Sequence, residues 1–490
     1  MGKNNEDLRM EEKKLKFAIF IVAYNAVSTL TKVLDRIPQE VWERVEEVFV
    51  FDDCSQDETT LLAEGYKHKR NKDKLAIYRN EANLGYGGNQ KKGYKYAIER
   101  GFDYVILLHG DGQYAPESLP EFIRMAEKEN PAMVIGSRMI KRREALKGGM
   151  PFYKFFGNIL LTTYQNILLG TKISEFHSGY RMYKCDVLKN LHLEKYTDDF
   201  HFDTEIIVEL IHRSEKIVEI PIPTYYGGEI CYVNGFKYSF NVFLSVLRYK
   251  LWSLGFVSCD WIDPFSKSKY APKKSPLSSH KRVEYFVPEN SKVLDLGAEG
   301  NYILELKKKK CNVVGVSLSE IPLEIKNLYD RFLIENLEEN GWKMKLKGEK
   351  FDVIILADVI EHLKEAKSLI SSLKDFLKSE GFVVASTPNI AHFYVRVALL
   401  FGSFPYSERG ILDRTHLHFY TLNSFKKLFE REGFKTIKRR YTPIPFELFF
   451  GKNKVSKAIS SFLEYIYYLF VKVLPSIFAY QMVYVFKLKK

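Results

Sequence analysis

Residues 104–114 read YVILLHGDGQY, and their reading decides the fold of the first half of the chain. Tyr104 to Leu108 is a short apolar run with strand composition, and it stops at the polar HGDGQY (109–114). Asp111 sits between Gly110 and Gly112, where small neighbours let a ligand come close. His109 and Gln113 stand two residues to either side. By itself the segment is equally well read as a turn with a solvated aspartate. The pattern recurs outward. Lys16 to Ala23 reads as a strand and is followed by Tyr24 and Asn25; Val48 to Phe51 reads as another and ends in Asp52 and Asp53. Leu75 to Tyr78 and Met133 to Ile135 continue the series, with polar helical stretches between them. The alternation predicts an α/β fold, a mostly parallel sheet with helices on both faces. Such sheets bind ligands at the carboxyl ends of their strands, where YN, DD and HGDGQ fall.

The chain has 490 residues, 46% hydrophobic and 28% charged, which predicts at least two globular domains. Five cysteines lie far apart with no CxxC pair, so neither a disulfide framework nor a zinc cage is expected and a reducing cytosol fits. Residues 1–15 are a polar extension without the apolar core of a signal peptide. No apolar run reaches the roughly 18 residues of a spanning helix. The net charge of +13 suits anionic lipid or phosphorylated ligands, and no nucleic-acid motif accompanies it.

The basic, acid-free stretch 264–280, PFSKSKYAPKKSPLSSH, reads as a linker. Beyond it the strand rhythm restarts with KVLDLG (292–297), NVVGVSL (312–318), FDVIILAD (351–358) and FVVAS (382–386). We therefore divide the chain into an extension (1–15), a first domain (16–235), an amphipathic helix with linker (236–281) and a second domain (282–490).

VAYN (22–25), DDCSQDET (52–59), NLGYGGNQKKGY (83–94), HGDGQY (109–114), GSRM (136–139), SGYRMY (178–183) and DDFHFDTEI (198–206) resemble, in order and spacing, the family 2 glycosyltransferases, especially their dolichyl-phosphate mannose synthase-like branch. The resemblance implies a GT-A fold, a nucleoside-diphosphate sugar as donor and a divalent cation, Mg or Mn. It implies that Tyr24, Asn25 and Asp53 line the nucleotide. Asp111 would bind the metal and diphosphate with Gln113 assisting, and Arg138 would meet phosphate, with Arg181 a second arginine of that kind. The alternative for either arginine is a surface ion pair. The family usually has an acid where His109 stands; imidazole is a poor magnesium ligand, so the metal's identity stays open. Asp203 is the carboxylate read as catalytic base for a hydroxyl acceptor. The alternative places it in the first turn of a helix capped by Asp198 and Asp199.

KVLDLGAEGNYILEL (292–306), FDVIILADVIEHL (351–363), FVVASTPN (382–389) and GILDRTHLHFYT (410–421) resemble class I S-adenosylmethionine-dependent methyltransferases, which implies a Rossmann-like fold with Asp295, Gly297 and Gly300 at the cofactor. Two departures bear on that cofactor. The loop after Asp295 is one residue short and lacks a glycine, and Ser317 replaces the acid that normally holds the ribose. Glu320 reads as the start of a helix. Asp358 and His362, four apart at a helix start, read either as an acceptor-side pair or as capping.

Phe236 to Phe256 and Val455 to Leu474 read as amphipathic helices suited to a bilayer surface or to packing between domains. The expected protein is a cytoplasmic glycosyltransferase, peripheral on the inner face of the cell membrane, using inversion and a polyprenyl phosphate or surface glycan as acceptor. The second domain would methylate the product if it binds S-adenosylmethionine, making a bifunctional enzyme, or else serves as a non-catalytic docking module; a weaker alternative makes the whole chain a non-enzymatic glycan binder.

Overall fold

The computed structural model describes residues 14–226, 234–263, 275–450 and 454–489. The expected extension and linker lie outside the described residues over 1–13 and 264–274. The chain divides into two units, Met1–Leu247 with Asp260–Ser268, and Arg248–Cys259 with Lys269–Lys490.

The first unit holds strands β1 (Phe17–Ala23), β2 (Glu47–Asp52), β3 (Leu75–Arg79), β4 (Tyr104–His109), β5 (Met133–Ser137), β6 (Arg181–Lys184) and β7 (Ile217–Pro221). Their order is β3-β2-β1-β4-β6-β5-β7. Only β6 runs against its neighbours. β1, β2 and β4 are apolar almost throughout and buried on both faces, as a parallel sheet covered by helices requires. Phe20 of β1 stacks on Phe49 of β2 at 5.1 Å and meets Tyr94 of the helix Gly85–Glu99 edge-on at 5.8 Å. Each such fully buried side chain contributes about 1.5–3 kcal/mol.

The second unit holds β8 (Lys292–Leu296), β9 (Asn312–Ser317), β10 (Arg331–Ile334), β11 (Phe351–Ala357), β12 (Leu377–Pro388), β13 (Phe434–Thr442) and β14 (Gln481–Leu488). The order is β10-β9-β8-β11-β12-β14-β13, with β14 antiparallel to both its neighbours. This is the Rossmann-like arrangement expected, with one antiparallel strand, β14, inserted next to the edge strand β13.

Two local readings are corrected. Glu320 does not begin a helix; the short helix Leu323–Lys326 starts after Pro322, and Glu320 pairs with Lys326 at 2.9 Å. Asp358 and His362 do not open a regular helix: Asp358 takes φ +56 and a single 3-10 turn, Ile360–His362, follows.

Candidate active site

The register of the first sheet gathers the motifs. Ala23 lies opposite Asp52, and Val22 opposite His109. The YN, DD and HGDGQY segments therefore leave the sheet side by side, where β2 and β4 flank β1 and the strand order reverses.

Where β1 and β2 end, Asn25 adopts φ +48, a conformation asparagine tolerates. Its N–H donates to Ser55 Oγ at 2.8 Å, and its Oδ1 accepts the Gln56 N–H at 2.8 Å. Asp53 is buried. Its Oδ1 accepts Asn80 Nδ2 at 2.9 Å and the Leu84 N–H at 2.8 Å, which ties β2 to the entry of the helix Gly85–Glu99. Tyr24 is more exposed, at 38%.

At the end of β4, Asp111 Oδ1 accepts the Gln113 N–H at 3.0 Å across a turn in which Gly112 takes φ +80. No other hydrogen bond to this half-buried carboxylate is found among the described residues, so its second oxygen can serve a hard cation. A bare carboxylate oxygen is the kind of hard donor a divalent ion takes.

His109 points its Nε2 away from this turn. Its Nε2 lies 3.4 Å from the Tyr86 hydroxyl, which donates to Asp203 Oδ2 at 3.0 Å. Burial pulls the His109 pKa down, against the opposing influence of Asp111 and Asp203, so the ring is neutral near pH 7. With the Tyr86 proton committed to Asp203, Nε2 carries the ring's hydrogen and Nδ1 keeps the lone pair.

Asp203 sits in the first turn of the helix Phe202–His212, 5% exposed. His201 occupies the cap position. Asp198 pairs instead with Lys91 at 2.8 Å, and Asp199 accepts the Phe200 N–H at 2.7 Å; the expected aspartate caps are corrected accordingly. Besides Tyr86, Asp203 receives Gln90 Nε2 at 3.3 Å and Arg181 Nη1 at 3.1 Å. Arg181 is fully buried and spends its fork on the carbonyls of Ser178, Phe176 and Asp203 at 2.7, 2.8 and 3.1 Å. It braces Asp203 from inside, and the phosphate role expected for it is corrected: no donor faces outward.

Arg138 follows β5 and forks onto Glu175 through Nε at 3.0 Å and through Nη2, while Nη1 donates to Tyr226 Oη at 3.1 Å. Glu175 is completely buried and also accepts Asn158 Nδ2 at 2.8 Å. Burial alone would raise the Glu175 carboxyl, yet Arg138 holds it below its usual range. Nearby, burial pushes His177 down to about 3; its Nδ1 lies 3.0 Å from Tyr238 Oη.

Tyr86, Gln90 and Glu175 escaped the sequence reading. Tyr86 and Gln90 lie inside NLGYGGNQKKGY, so a signal was present; Glu175 lies outside every motif.

In the second unit, Asp295 ends β8 buried, accepts the Tyr329 hydroxyl at 3.1 Å and is pushed up to about 7 by burial. Gly297 and Gly300 take φ +81 and +85. Space beside them is already filled: a Cβ on Gly297 would lie 2.4 Å from Val359 Cγ2, and one on Gly300 2.4 Å from Ile325 Cγ2. Ser317 is buried, its hydroxyl 3.3 Å from the Ser319 N–H. A cradle for S-adenosylmethionine needs open backbone beside the glycines and a charged partner for the ribose. Ile325, Val359 and Ser317 supply neither, so the residues present do not fit that cofactor.

An α/β unit with carboxylates and a small-residue turn at its switch point has the layout of a ligand-binding α/β domain. Residues 18–191 match the family model for glycosyl transferase family 2, and residues 243–439 match a methyltransferase domain model. The chain thus matches a glycosyl transferase family 2 model in its first half and a methyltransferase domain model in its second. It is 25% identical to an undecaprenyl-phosphate mannosyltransferase of Micrococcus luteus, over 42% of this chain and 83% of that protein. It is 26% identical to a UDP-N-acetylglucosamine–dolichyl-phosphate N-acetylglucosaminyltransferase of Methanococcus voltae, over 42% and 85%. Among solved structures, glucosyl-3-phosphoglycerate synthase of Mycobacterium tuberculosis, in complex with Mn2+, UDP and glucosyl-3-phosphoglycerate, aligns over 48% of this chain and 79% of that one at 15% identity and TM-score 0.37.

Proposed function

We propose that the first domain transfers a sugar from a nucleoside-diphosphate sugar to a polyprenyl phosphate at a membrane surface. The observation that carries the acceptor is the construction of the site wall. The helix Phe152–Leu169 sends Asn158 to Glu175, and the helix Gly235–Ser253 sends Tyr238 to His177. The two helices meet where Tyr164 stacks on Phe243 at 4.9 Å. Both turn large apolar residues outward: Phe152, Tyr153, Phe156 and Leu160 on the first, Phe236 and Phe240 on the second, each more than 60% exposed. A single apolar face of this size is rare on a protein that meets only water. It suits a bilayer that holds the isoprenoid tail while the phosphate reaches the site. In the second unit the helix Lys454–Val473 likewise exposes Phe462, Tyr465 and Phe470. Among the described residues no helix is long and apolar enough to cross a membrane, and the proposed contact runs through these exposed apolar side chains.

The chemistry follows from the acceptor. A phosphate arrives as an oxyanion, so its oxygen attacks the anomeric carbon without surrendering a proton. The bond from that carbon to the diphosphate breaks, and the nucleoside diphosphate leaves with the electron pair and the anomeric configuration inverted. Asp111, with Gln113 or His109 Nδ1 beside it, would hold the cation that neutralises the departing diphosphate. Tyr24, Asn25 and Asp53 hold the nucleotide. Arg138, fixed by Glu175, Tyr226 and the His177 carbonyl, keeps one Nη1 hydrogen for phosphate. The base role read for Asp203 belongs to a hydroxyl acceptor; here Asp203 keeps Tyr86 and His109 in place.

The test is direct. Purified full chain, Mn2+, a panel of radiolabelled nucleotide sugars and a short polyprenyl phosphate should yield an organic-extractable, acid-labile sugar lipid. Label appearing only on free glycan would overturn the acceptor assignment. The triple substitution Phe156→Glu, Leu160→Glu, Phe240→Glu should weaken co-sedimentation with anionic vesicles by about 10-fold or more, given the apolar burial lost. Undiminished sedimentation would remove the membrane face from the proposal.

For the second domain we propose a module that does not take S-adenosylmethionine. Calorimetric titration of the full chain with this cofactor should give no saturable heat, whereas micromolar binding, roughly −8 kcal/mol, would restore the bifunctional reading.

A further inference from the structure

The second unit contains a cluster that neither the transferase nor the methyltransferase-type fold accounts for. Glu361 and His362 form the 3-10 turn after β11, and His416 lies in the long segment between the helices Phe393–Leu400 and Leu422–Arg431. One ligand atom from each of these three side chains lies within 4.8 Å of the others.

Three features make this a prepared cation site rather than a chance grouping. The first is Glu361, 1% exposed, with neither carboxylate oxygen in a formed hydrogen bond and the equally unmatched Thr387 hydroxyl as neighbour. Burying a carboxylate this way is costly unless something positive meets it. The second is the histidines' orientation. His362 Nδ1 lies 3.2 Å from the Thr415 carbonyl oxygen, and His416 Nδ1 3.1 Å from the Ile411 carbonyl oxygen. A ring that donates through Nδ1 to a carbonyl keeps its lone pair on Nε2, as metal-bound histidines do. The third is the support. Asp413 Oδ1 accepts both the N–H and the hydroxyl of Thr415, at 2.8 and 2.6 Å. The Leu417 and His418 N–H groups donate to the Glu361 carbonyl at 2.8 and 3.1 Å, pinning the loop that carries His416 to the turn that carries the other two.

We propose that Glu361, His362 and His416 bind a first-row divalent transition cation of the zinc class. Two imidazoles and one carboxylate suit such an ion and leave a coordination position open to water or a ligand. Ligands at about 2.0–2.1 Å in tetrahedral geometry stand roughly 3.3 Å apart, so side-chain rotation of about 1–1.5 Å closes the set. The exposed His362 provides that freedom. Asp358 stands aside, its oxygens held by Ser386 Oγ at 2.7 Å and Gln481 Nε2 at 2.9 Å. The site does not depend on the glycosyltransferase reading.

Cobalt(II) titration of the chelator-treated full chain, without nucleotide, tests it. The expected result is a visible ligand-field spectrum that saturates at one equivalent and is displaced by Zn2+. The apparent affinity should fall by at least about 10-fold in His362→Ala and in His416→Ala, and stay unchanged in Asp111→Asn, which separates this ion from the transferase's own. Because His362 is exposed, its loss does not threaten folding; matching thermal melts for that variant confirm the comparison. Absence of a band at roughly millimolar cobalt, or a band indifferent to both histidine substitutions, would overturn the proposal.

Discussion

Asp111→Asn should lower sugar transfer about 1000-fold and leave the fold alone. The carboxylate accepts one local N–H, from Gln113, and is half exposed, so little packing depends on it. Asparagine keeps its shape and the acceptor for Gln113, and stability should change by less than about 0.5 kcal/mol. The charge is what is lost. A cation that neutralises a leaving diphosphate contributes several kcal/mol to the transition state. Removing roughly 4 kcal/mol lowers the rate about 1000-fold. The measurement is turnover of a labelled nucleotide sugar, with circular dichroism to show an intact fold. Retained transfer within about 10-fold would move the cation elsewhere, with His109 Nδ1 the next residue to examine.

The second large effect is on stability. Asp203→Ala leaves Arg181 charged, fully buried and without its carboxylate, and strips the acceptor from Tyr86 and Gln90. Breaking a buried ion pair by deleting one partner costs about 3–5 kcal/mol, because the survivor keeps its desolvation penalty without compensation. Urea denaturation of the full chain, followed by a probe in the first unit, should show that unit unfolding early while the second keeps its midpoint. Arg181→Met with Asp203→Leu, which removes both charges, should recover much of the loss without restoring activity. A cost below about 1 kcal/mol for Asp203→Ala alone would show that Arg181 is satisfied by the backbone carbonyls of Ser178 and Phe176.

The strands that carry ligands were legible because their signal is local. Tyr104 to Leu108 is apolar for as long as a buried strand needs and stops at a polar turn, and the same holds after Ala23 and Phe51. β6 was not legible. Four residues, Arg181–Lys184, become a strand by pairing antiparallel with β4 and β5, and no short run announces partners 46 or more residues away. β14 escaped for the same reason, since its place between β12 and β13 is set by non-local pairing.

The site divides the same way. Asp53, Asp111 and Asn25 stand at strand ends, so chain position alone brought them to the edge where ligands bind. The fates of the arginines and of Asp203 depended on what packed against them. Arg138 met Glu175, Arg181 turned inward to Asp203, and His109 met Tyr86, none of them within the same segment. In the second domain the shortened loop and Ser317 already spoke against a methyl donor; that Ile325 and Val359 fill the space beside Gly300 and Gly297 required the folded chain. Strand rhythm, turn chemistry and motif order are properties of neighbours along the chain, and the sequence by itself determined them. Which charge is neutralised, which carboxylate is left bare and which ring nitrogen stays free are settled by desolvation and by contacts between distant segments, and only the tertiary structure decided those.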